Sequence, residues 1–279
     1  MANDRWRGPP ASREANNCLN DIDNRGLNVS QGDEFTMKLL TATMKMCDVI
    51  HSNYLLIPVV NRFGIRLGFG EKTVKTVCKE CGIDVEFFLT IINVFSNENY
   101  FPQRRLQTFN VLMIVEYLRK THSYYIETQV PLIERLIKEL IHHSPKSNSS
   151  LKLVKKFFLE YKKELLAHLK REESVTFPYV ERVYNAYRKH RSGLKSGKQV
   201  QYSMQVYEKE HDDVDDKLYD LQNILIKYIS GGFDEPLCNA IIFELFRLEQ
   251  DIKDHTRIED NILRPVVQEM EESLRAQAA

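Results

Sequence analysis

Six side chains of types that commonly bind metal ions occupy positions where the surrounding pattern predicts hydrophobic residues. They are His122, His168, Glu172, His211, His255 and Glu259. A carboxylate buried in an apolar core without a partner is strongly unfavourable, and two facing carboxylates repel unless cations bridge them. Four imidazoles and two carboxylates suit two first-row metal ions, with iron or manganese favoured over a metal that prefers thiolate ligands. The sequence therefore predicts a buried two-metal site.

The spacing of two pairs supports this interpretation. His168 with Glu172, and His255 with Glu259, both form the sequence His-x-x-x-Glu. Residues four apart lie about one turn apart on one helix face, with roughly 5–6 Å between their Cβ atoms. Each of these helices can therefore present a terminal histidine and a carboxylate able to bridge two ions. The ferritin-like di-iron motif is Glu-x-x-His instead, so the pattern indicates a different ligand scheme.

The alternative for a single histidine on an apolar face is a hydrogen-bonded core residue, which is the commoner case. Repetition favours the metal site here, because four of the eight histidines fall on core positions and two of them have the same glutamate partner. Three further glutamates adjoin the candidate ligands but fall off the apolar stripes, namely Glu173, Glu210 and Glu249. They are predicted to be surface charges, with a role in holding the ligands as the alternative.

Four long amphipathic helices must position these residues. The predicted helices are Leu106–His142, Leu151–Lys189, Val200–Ser230 and Glu235–Ala276. Short links rich in Ser, Pro and Gly join them, which is typical of an up-down-up-down four-helix bundle. Pro131 predicts a bend within the first helix. The predicted fold class is therefore all-α.

Apolar residues alternate in steps of four and three along these helices, and the candidate ligands continue the alternation. In the first helix His122 lies between Leu118 and Tyr125. The second helix has the stripe Phe157, Tyr161, Leu165, His168, Glu172 and Val175. The third has Tyr207, His211, Val214, Leu218, Leu221, Leu225 and Tyr228. The fourth has Ile241, Leu245, Leu248, Ile252, His255, Glu259, Ile262 and Val266.

The chain divides into three predicted parts. Residues 1–36 have few large apolar side chains and are interpreted as a disordered tail. Residues 37–100 contain short helices interrupted by glycine, and they are interpreted as a small helical domain that acts by packing and docking. Residues 101–279 form the bundle.

Glycine and capping residues divide the small domain into helices. The expected helices are one through Val49 and Leu55, one over Glu71–Cys81 and one over Val85–Phe95. Gly82 is expected to end the second, and Asp84 is expected to cap the third. The expected core consists of Phe69, Val74, Val77, Phe87, Phe88 and Leu89.

Composition argues against several other functions. The 39 basic and 39 acidic side chains balance, so neither a nucleic acid nor an anionic membrane is expected as a partner. No apolar run is long enough to span a bilayer and no targeting signal is recognisable, so a cytoplasmic protein is expected. The five cysteines are odd in number and scattered, which fits a reducing compartment.

Two local patterns in the small domain have simpler explanations than the functions they suggest. Cys78 and Cys81 form a Cys-x-x-Cys pair, but no second pair or nearby histidine completes a zinc site, so a packed core thiol is expected. Residues 73–93 are similar to a helix-turn-helix. The second helix of that segment has no Lys or Arg to contact DNA, so DNA binding is rejected.

Four segments carry a resemblance to a known family. They are residues 118–125, residues 168–173 followed by Phe177-Pro178-Tyr179, residues 210–212, and residues 255–260 followed by Leu263-Arg264-Pro265. Over Met37–Val267 the chain resembles the hemerythrin-like di-iron proteins of the bacterial iron–sulfur cluster repair group. The resemblance implies that the four histidines are terminal ligands of two non-haem iron ions and that both glutamates bridge them. An oxo or hydroxo bridge is also expected.

The small domain resembles its counterpart in that group at Phe63-Gly64-Ile65 and at Cys81-Gly82-Ile83-Asp84. It departs where many relatives have adjacent cysteines, because this chain has Arg66-Leu67-Gly68-Phe69-Gly70 there. The resemblance therefore does not extend to a thiol-dependent step.

The resemblance implies repair of iron–sulfur clusters damaged by nitric oxide or oxidative stress, with this protein as iron donor and the damaged iron–sulfur proteins as partners. Six protein ligands leave positions open on two octahedral ions, which suits O2 or NO as a small ligand. Two other functions use the same ligands and stay open, a di-iron sensor of O2 or NO and a nitric oxide reductase. A homodimer also stays open.

Overall fold

The computed structural model describes residues 39–97, 99–145, 148–191 and 213–276, and only the backbone at 190–191 and 213–216. The tail predicted at residues 1–36 lies outside these ranges, as do Tyr207 and His211. All described residues belong to one compact unit. Their regular structure is helical, without a β-strand, and an isolated bridge pairs Lys45 with Thr73. The predicted all-α class is confirmed.

Short helices precede the bundle. In the described residues they are α1 Met46–Ser52, α2 Leu56–Arg62, α3 Val74–Glu80, α4 Val85–Ser96 and α5 Gln103–Leu106. The single helix expected through Val49 and Leu55 is instead divided at Asn53, whose backbone is extended. Two short helices therefore replace one.

Side-chain caps and one glycine explain where α3 and α4 begin and end. The Thr73 hydroxyl accepts a hydrogen bond from a backbone amide of the first turn at 3.3 Å, so α3 begins later than the predicted start at Glu71. Gly82, with φ of +67°, follows the end of α3 as predicted. The Asp84 carboxylate accepts a hydrogen bond from the Phe87 amide at 2.8 Å, which confirms the predicted cap.

Each bundle helix contains a π-helical turn within the described residues. The first bundle helix comprises α6 Val111–Tyr124, the π turn Tyr125–Gln129 and α7 Val130–His143. The second comprises α8 Ser149–Arg171, the π turn Glu172–Thr176 and α9 Phe177–Arg191. The third is described over α10 Asp213–Asn223 and the π turn Ile224–Tyr228. The fourth comprises α11 Glu235–Ile258, the π turn Glu259–Leu263 and α12 Arg264–Arg275.

Polar caps define three of the bundle helix starts. The side chains of Asn110, Asn148 and Asp234 each accept a hydrogen bond from a backbone amide of the following turn. The first bundle helix therefore begins after Asn110 rather than at Leu106, which ends α5. The predicted start of the fourth helix at Glu235 is confirmed.

Prolines explain three of the π turns. A backbone hydrogen bond closes each of these turns, and a proline immediately follows the residue that donates it. The prolines are Pro131, Pro178 and Pro265. In the second bundle helix the Phe177 amide donates to the Glu172 carbonyl, and Val130 and Arg264 make the equivalent bonds in the first and fourth. Proline has no amide hydrogen and its ring crowds the carbonyl four residues earlier, so a wider turn relieves the clash. A π turn thus lies where Pro131 predicts a bend.

The π turns change which residues are buried beyond them, because a wider turn acts as an insertion of about one residue. All eight residues of the fourth predicted stripe are buried. In the second helix Val175 is exposed and Thr176 is buried in its place, so that stripe is wrong at its end. Tyr228 is likewise exposed, because it lies within the π turn of the third helix.

Two hydrophobic clusters fill the interior on either side of the candidate ligands. The first includes Val74, Phe88, Leu118, Phe177 and Ile258. The second includes Tyr125, Leu169, Leu221, Leu248 and Ile252. Along the fourth bundle helix His255 follows Ile252 of the second cluster and precedes Ile258 of the first. The candidate ligands therefore lie at the junction of two cores.

The small domain packs directly on the bundle. Of its six expected core residues, Val74, Val77, Phe87 and Phe88 are buried, while Phe69 and Leu89 are partly buried against the same cluster. The Phe63 ring centroid lies 5.2 Å from that of Tyr117 in α6, and the Phe87 ring meets Tyr117 edge-on at 6.4 Å. The hydrophobic core is continuous across residue 100.

Candidate metal centre

The described candidate ligands lie where α-helical segments meet π turns. His122 is in the last turn of α6, and His168 and His255 are in the last turns of α8 and α11. Glu172 and Glu259 are the first residues of the π turns that follow α8 and α11. The two His-x-x-x-Glu pairs therefore share one local structure, in which the glutamate carbonyl accepts the wider hydrogen bond.

Four of these side chains converge in the interior. His122, Glu172, His255 and Glu259 each offer a ligand atom, and the four atoms lie within 4.8 Å of one another. Nε2 of His122 lies 3.3 Å from Nε2 of His255 and 3.3 Å from Oε2 of Glu172. Nε2 of His255 lies 3.2 Å from Oε1 of Glu259. All four side chains are buried.

Glu172 lies between histidines of two different helices. Its Oε2 faces His122, while its Oε1 lies 3.3 Å from Nε2 of His168. The His168 side chain is 14% exposed, so this flank of the group is the nearer one to the surface. His211 lies outside the described residues, and its place in the ligand set stays a prediction.

Glu173 holds the imidazole of His122 from the other side. Nδ1 of His122 donates to Oε1 of Glu173 at 2.8 Å, and Nε of Arg119 donates to Oε2 at 3.2 Å. A carboxylate on Nδ1 fixes the ring orientation and leaves Nε2 to bind a metal. The Phe177 ring stacks on the same imidazole with 5.2 Å between centroids. The structure therefore supports the alternative given for Glu173, a role in holding a ligand, rather than the favoured one of a surface charge, although 35% of its side chain is exposed.

Both converging carboxyl groups are buried, but their pKa values are shifted in opposite directions. Burial, followed by the negative charge of Glu172, raises the pKa of Glu259 well above its usual value. Burial also acts to raise the pKa of Glu172, but hydrogen bonds from His122 and His168 hold it well below its usual value. Two carboxylates this close favour ionisation of one and protonation of the other.

The pKa values of the two converging histidines are also shifted in opposite directions. Burial acts to lower the pKa of His122, but hydrogen bonds to Glu172 and Glu173 raise it to about 9. Burial, followed by the positive charge of His122, lowers the pKa of His255 to about 3. His255 therefore presents a neutral imidazole, which is the form that binds metal ions.

The two buried carboxylate oxygens of Glu259 are suitable ligands for a metal cation. Among the described residues neither of its carboxylate oxygens has a hydrogen-bond partner, although the side chain is buried. A cation between Glu259 and Glu172 would stabilise both in the ionised form and remove their repulsion. Imidazole nitrogens and carboxylate oxygens are suitable ligands for first-row metals. The residues present therefore fit a metal site.

A family model described as the hemerythrin HHE cation-binding domain matches residues 113–267, more than half of the chain. The chain belongs to the hemerythrin family. Every converging side chain of this hemerythrin domain lies within the matched residues, as does His168. The domain binds metal cations, and the buried His and Glu group is where this chain could hold one.

A comparison with curated proteins found no match. Among the described helices of this chain, none combines the length and the apolar composition needed to cross a lipid bilayer. The basis for assigning a function is therefore the family match and the geometry of the buried His and Glu group.

Sequence reasoning gave a ligand-holding role for Glu173 only as the alternative, and it missed the π turns. A signal for the π turns exists, because Pro178 and Pro265 follow Glu172 and Glu259 at the same distance. A proline inside a long helical pattern must distort the turn before it. Glu249 accepts hydrogen bonds from two other side chains, Gln222 and Lys253, and Glu210 lies outside the described residues.

Proposed function

We propose that this protein holds two non-haem iron ions, bound by His122, His168, Glu172, His211, His255 and Glu259. The placement of Glu172 carries the proposal. Its two oxygens face histidines of different helices, Oε2 toward His122 and Oε1 toward His168, each at 3.3 Å. A carboxylate placed in this way can bridge two ions, which lie about 3.5–4 Å apart in two-metal sites.

The distances support an assignment of the described histidines to two ions. The Nε2 atoms of His122 and His255 are 3.3 Å apart, so both can bind the same ion. His168 faces the other oxygen of Glu172 and would bind the second ion, for which His211 is the further ligand expected from the sequence. Glu259 follows His255 by one turn and has no hydrogen-bond partner among the described residues, so it would serve as the second bridging carboxylate.

A loaded di-iron centre supplies redox-active metal with coordination positions open to O2 or NO. The protein's own residues orient the ligands and exclude water around them. Glu173 and Phe177 hold the His122 ring by a hydrogen bond and by stacking. The Tyr125 ring meets His255 edge-on, with 5.9 Å between ring centroids, and Tyr125 is fully buried.

We further propose that the protein donates iron for the repair of iron–sulfur clusters damaged by nitric oxide or oxidative stress. Its membership of the hemerythrin family and the resemblance over Met37–Val267 to the cluster-repair group support this function. The exposure of His168 supports it further, since it is the most exposed of the described ligands. An ion held by His168 would therefore be better placed to leave.

The buried Cys78 and the missing adjacent cysteine pair support a docking role for the small domain rather than thiol chemistry. Cys78 is buried, and burial raises the pKa of its thiol to about 12. A protonated, buried thiol is a poor nucleophile. The adjacent cysteines of many relatives are replaced here by Arg66–Gly70, so the small domain has no adjacent cysteine pair at that position.

A sensor of O2 or NO is the second candidate. It is favoured by an ion pair between Arg62 of the small domain and Asp251 of the fourth bundle helix, which also carries His255 and Glu259. Such a contact gives the small domain a direct connection to a ligand-bearing helix. In this function the iron would stay bound.

Iron transfer tests the primary proposal. The iron-loaded protein is mixed with an iron–sulfur dehydratase inactivated by NO, and the activity of the enzyme is followed together with the iron content of both proteins. We expect about two irons per chain at the start. Recovery of the enzyme should be accompanied by loss of iron from the donor. Glu172→Ala should lose most of the bound iron and with it most of the recovery.

Glu249→Ala is the matched control, because Glu249 lies on the same helix as His255 and is bonded to Gln222 and Lys253. It should behave as the wild type. Recovery without iron loss would contradict donation. Reversible binding of O2 or NO with no recovery would favour the sensor, and an iron content of less than about one per chain would contradict the two-ion centre.

A further inference from the structure

An arginine from the small domain is buried beside the fourth bundle helix. Arg62 is the last residue of α2, and only 1% of its side chain is exposed. Its guanidinium makes a two-point ion pair with Asp251, with Nη1 at 2.8 Å from Oδ1 and Nη2 bonded to Oδ2. Bidentate pairs of this kind fix the relative position of the two segments that carry them. Helix α2 is therefore tied to α11.

Aromatic rings surround the guanidinium. Its Cζ lies 4.7 Å from the ring centroid of Tyr124, 5.7 Å from that of Tyr125 and 6.0 Å from that of Phe95. Nη1 also lies 3.5 Å from the Tyr117 hydroxyl. Rings around a desolvated cation stabilise it in addition to the ion pair. Arg62 reaches this position only when α2 is packed on the bundle.

Two short routes connect Arg62 with His255. Asp251 precedes His255 by four residues in α11, so the two side chains share one face of the helix. Tyr125 contacts both groups, because its ring lies 5.7 Å from Cζ of Arg62 and 5.9 Å from the His255 ring. Displacement of Arg62 would therefore affect the proposed ligand His255 through two of its neighbours, Asp251 and Tyr125.

We propose that Arg62 and Asp251 are positioning residues that couple packing of the small domain to metal binding by His255 and Glu259. This inference rests on the proposed metal centre. When α2 is packed, Arg62 holds the turn of α11 that precedes His255; when α2 separates, Asp251 loses its ion-pair partner and that turn loses the restraint. The docked small domain thus favours the ligand geometry, and by thermodynamic linkage metal binding favours docking.

Hydrogen exchange of the full chain measures this coupling. Exchange of the α2 amides, residues 56–62, is followed by mass spectrometry with and without Fe(II) under anaerobic conditions. We expect iron to slow exchange in α2 by about fivefold or more, which is the lower end of typical coupling between sites. A purely structural ion pair would protect α2 equally with and without iron.

Variants identify the residues responsible. The double variant Arg62→Met with Asp251→Asn removes both charges, which buried pairs tolerate better than loss of one. It should stay folded and bind iron, with affinity lowered by about fivefold and without iron-dependent protection of α2. Arg62→Lys keeps the charge but not the two-point geometry and should restore part of the protection.

Arg247→Met is the matched control. Arg247 belongs to α11 and donates to the Tyr124 hydroxyl at 3.1 Å and to Oε1 of Gln129 at 2.7 Å. It should retain iron-dependent protection of α2. Iron binding to the wild type with unchanged exchange in α2 would overturn the coupling while leaving the metal centre intact. Failure of the wild type to bind iron would overturn both.

Discussion

Glu173 lies 2.8 Å from Nδ1 of His122, while Nε2 of the same ring faces Glu172 and His255. Two neighbouring glutamates of one π turn therefore act on opposite sides of one imidazole. Glu172 faces the converging group, and Glu173 fixes the direction in which His122 points. Glu172 is thus a proposed ligand, and the next residue, Glu173, holds the imidazole of another proposed ligand, His122.

Glu173→Ala is expected to weaken metal binding by about 10–100-fold, because carboxylates that hold a ligand histidine typically contribute that much. Affinity can be measured by competition with a chelator. Glu181→Ala is the control, since Glu181 accepts a hydrogen bond from the same Arg119 without touching His122. Equal affinities of Glu173→Ala and the wild type would show that stacking on Phe177 is enough to hold the ring.

Glu259→Gln is expected to separate metal binding from folding. Burial raises the pKa of Glu259, so its neutral form is favoured in the metal-free protein, and glutamine has a similar shape without the charge. Metal analysis should show loss of most of the bound metal, as for Glu172→Ala. Urea unfolding of the metal-free proteins should give a free energy for Glu259→Gln no lower than that of the wild type. A clearly less stable variant would mean that Glu259 is ionised there.

Pro265→Ala should weaken metal binding while stabilising the metal-free protein. Without the proline, the turn that begins at Glu259 can return to regular α-helical hydrogen bonding, with a gain of up to about 3 kcal/mol in the free energy of unfolding. The ligand glutamate would then move relative to His255. Pro236→Ala serves as control, because Pro236 is in the first turn of α11, where proline is tolerated. Unchanged affinity in Pro265→Ala would show that the π turn forms without the proline.

The thiol of Cys78 should be unreactive in the folded protein. Burial raises its pKa to about 12, whereas Cys81 is exposed, so iodoacetamide at about pH 8 should label Cys81 and spare Cys78. An unperturbed cysteine thiol has a pKa of about 8.5, so the stability from keeping Cys78 protonated is complete below that pH and is lost as pH rises toward 12. The free energy of unfolding should therefore fall more steeply above about pH 9 in the wild type than in Cys78→Ala. Parallel pH profiles would contradict this.

The long helices were predictable because their apolar spacing repeats. The stripe of the fourth helix, from Ile241 to Val266, is buried at every predicted position. The same rule fails at Val175 and Tyr228, since it assumes an α-helical turn where the structure has a π turn. Local spacing therefore determines the buried face only as far as the helix stays regular.

Contacts between distant segments were not predictable in the same way. Arg62 and Asp251 are 189 residues apart, and neither residue interrupts a pattern that would indicate the other. Glu173 was interpreted as a surface charge because it lies beside the stripe rather than on it, although a side chain of its length can reach His122. Pairings of this kind depend on how the helices are rotated against one another, which a single sequence does not specify.

The position of the π turns has a consequence for engineering. Three of them lie at the level of the candidate ligands, in the first, second and fourth bundle helices. Each π turn shifts the helical repeat by about one residue. The positions that are buried on one side of the ligands therefore do not determine which positions are buried on the other side. A chimera joined at this level can exchange one half of the hydrophobic interior while the other half keeps its own repeat. The ligand level, rather than a loop, is then the natural crossover point for recombining this protein with a relative.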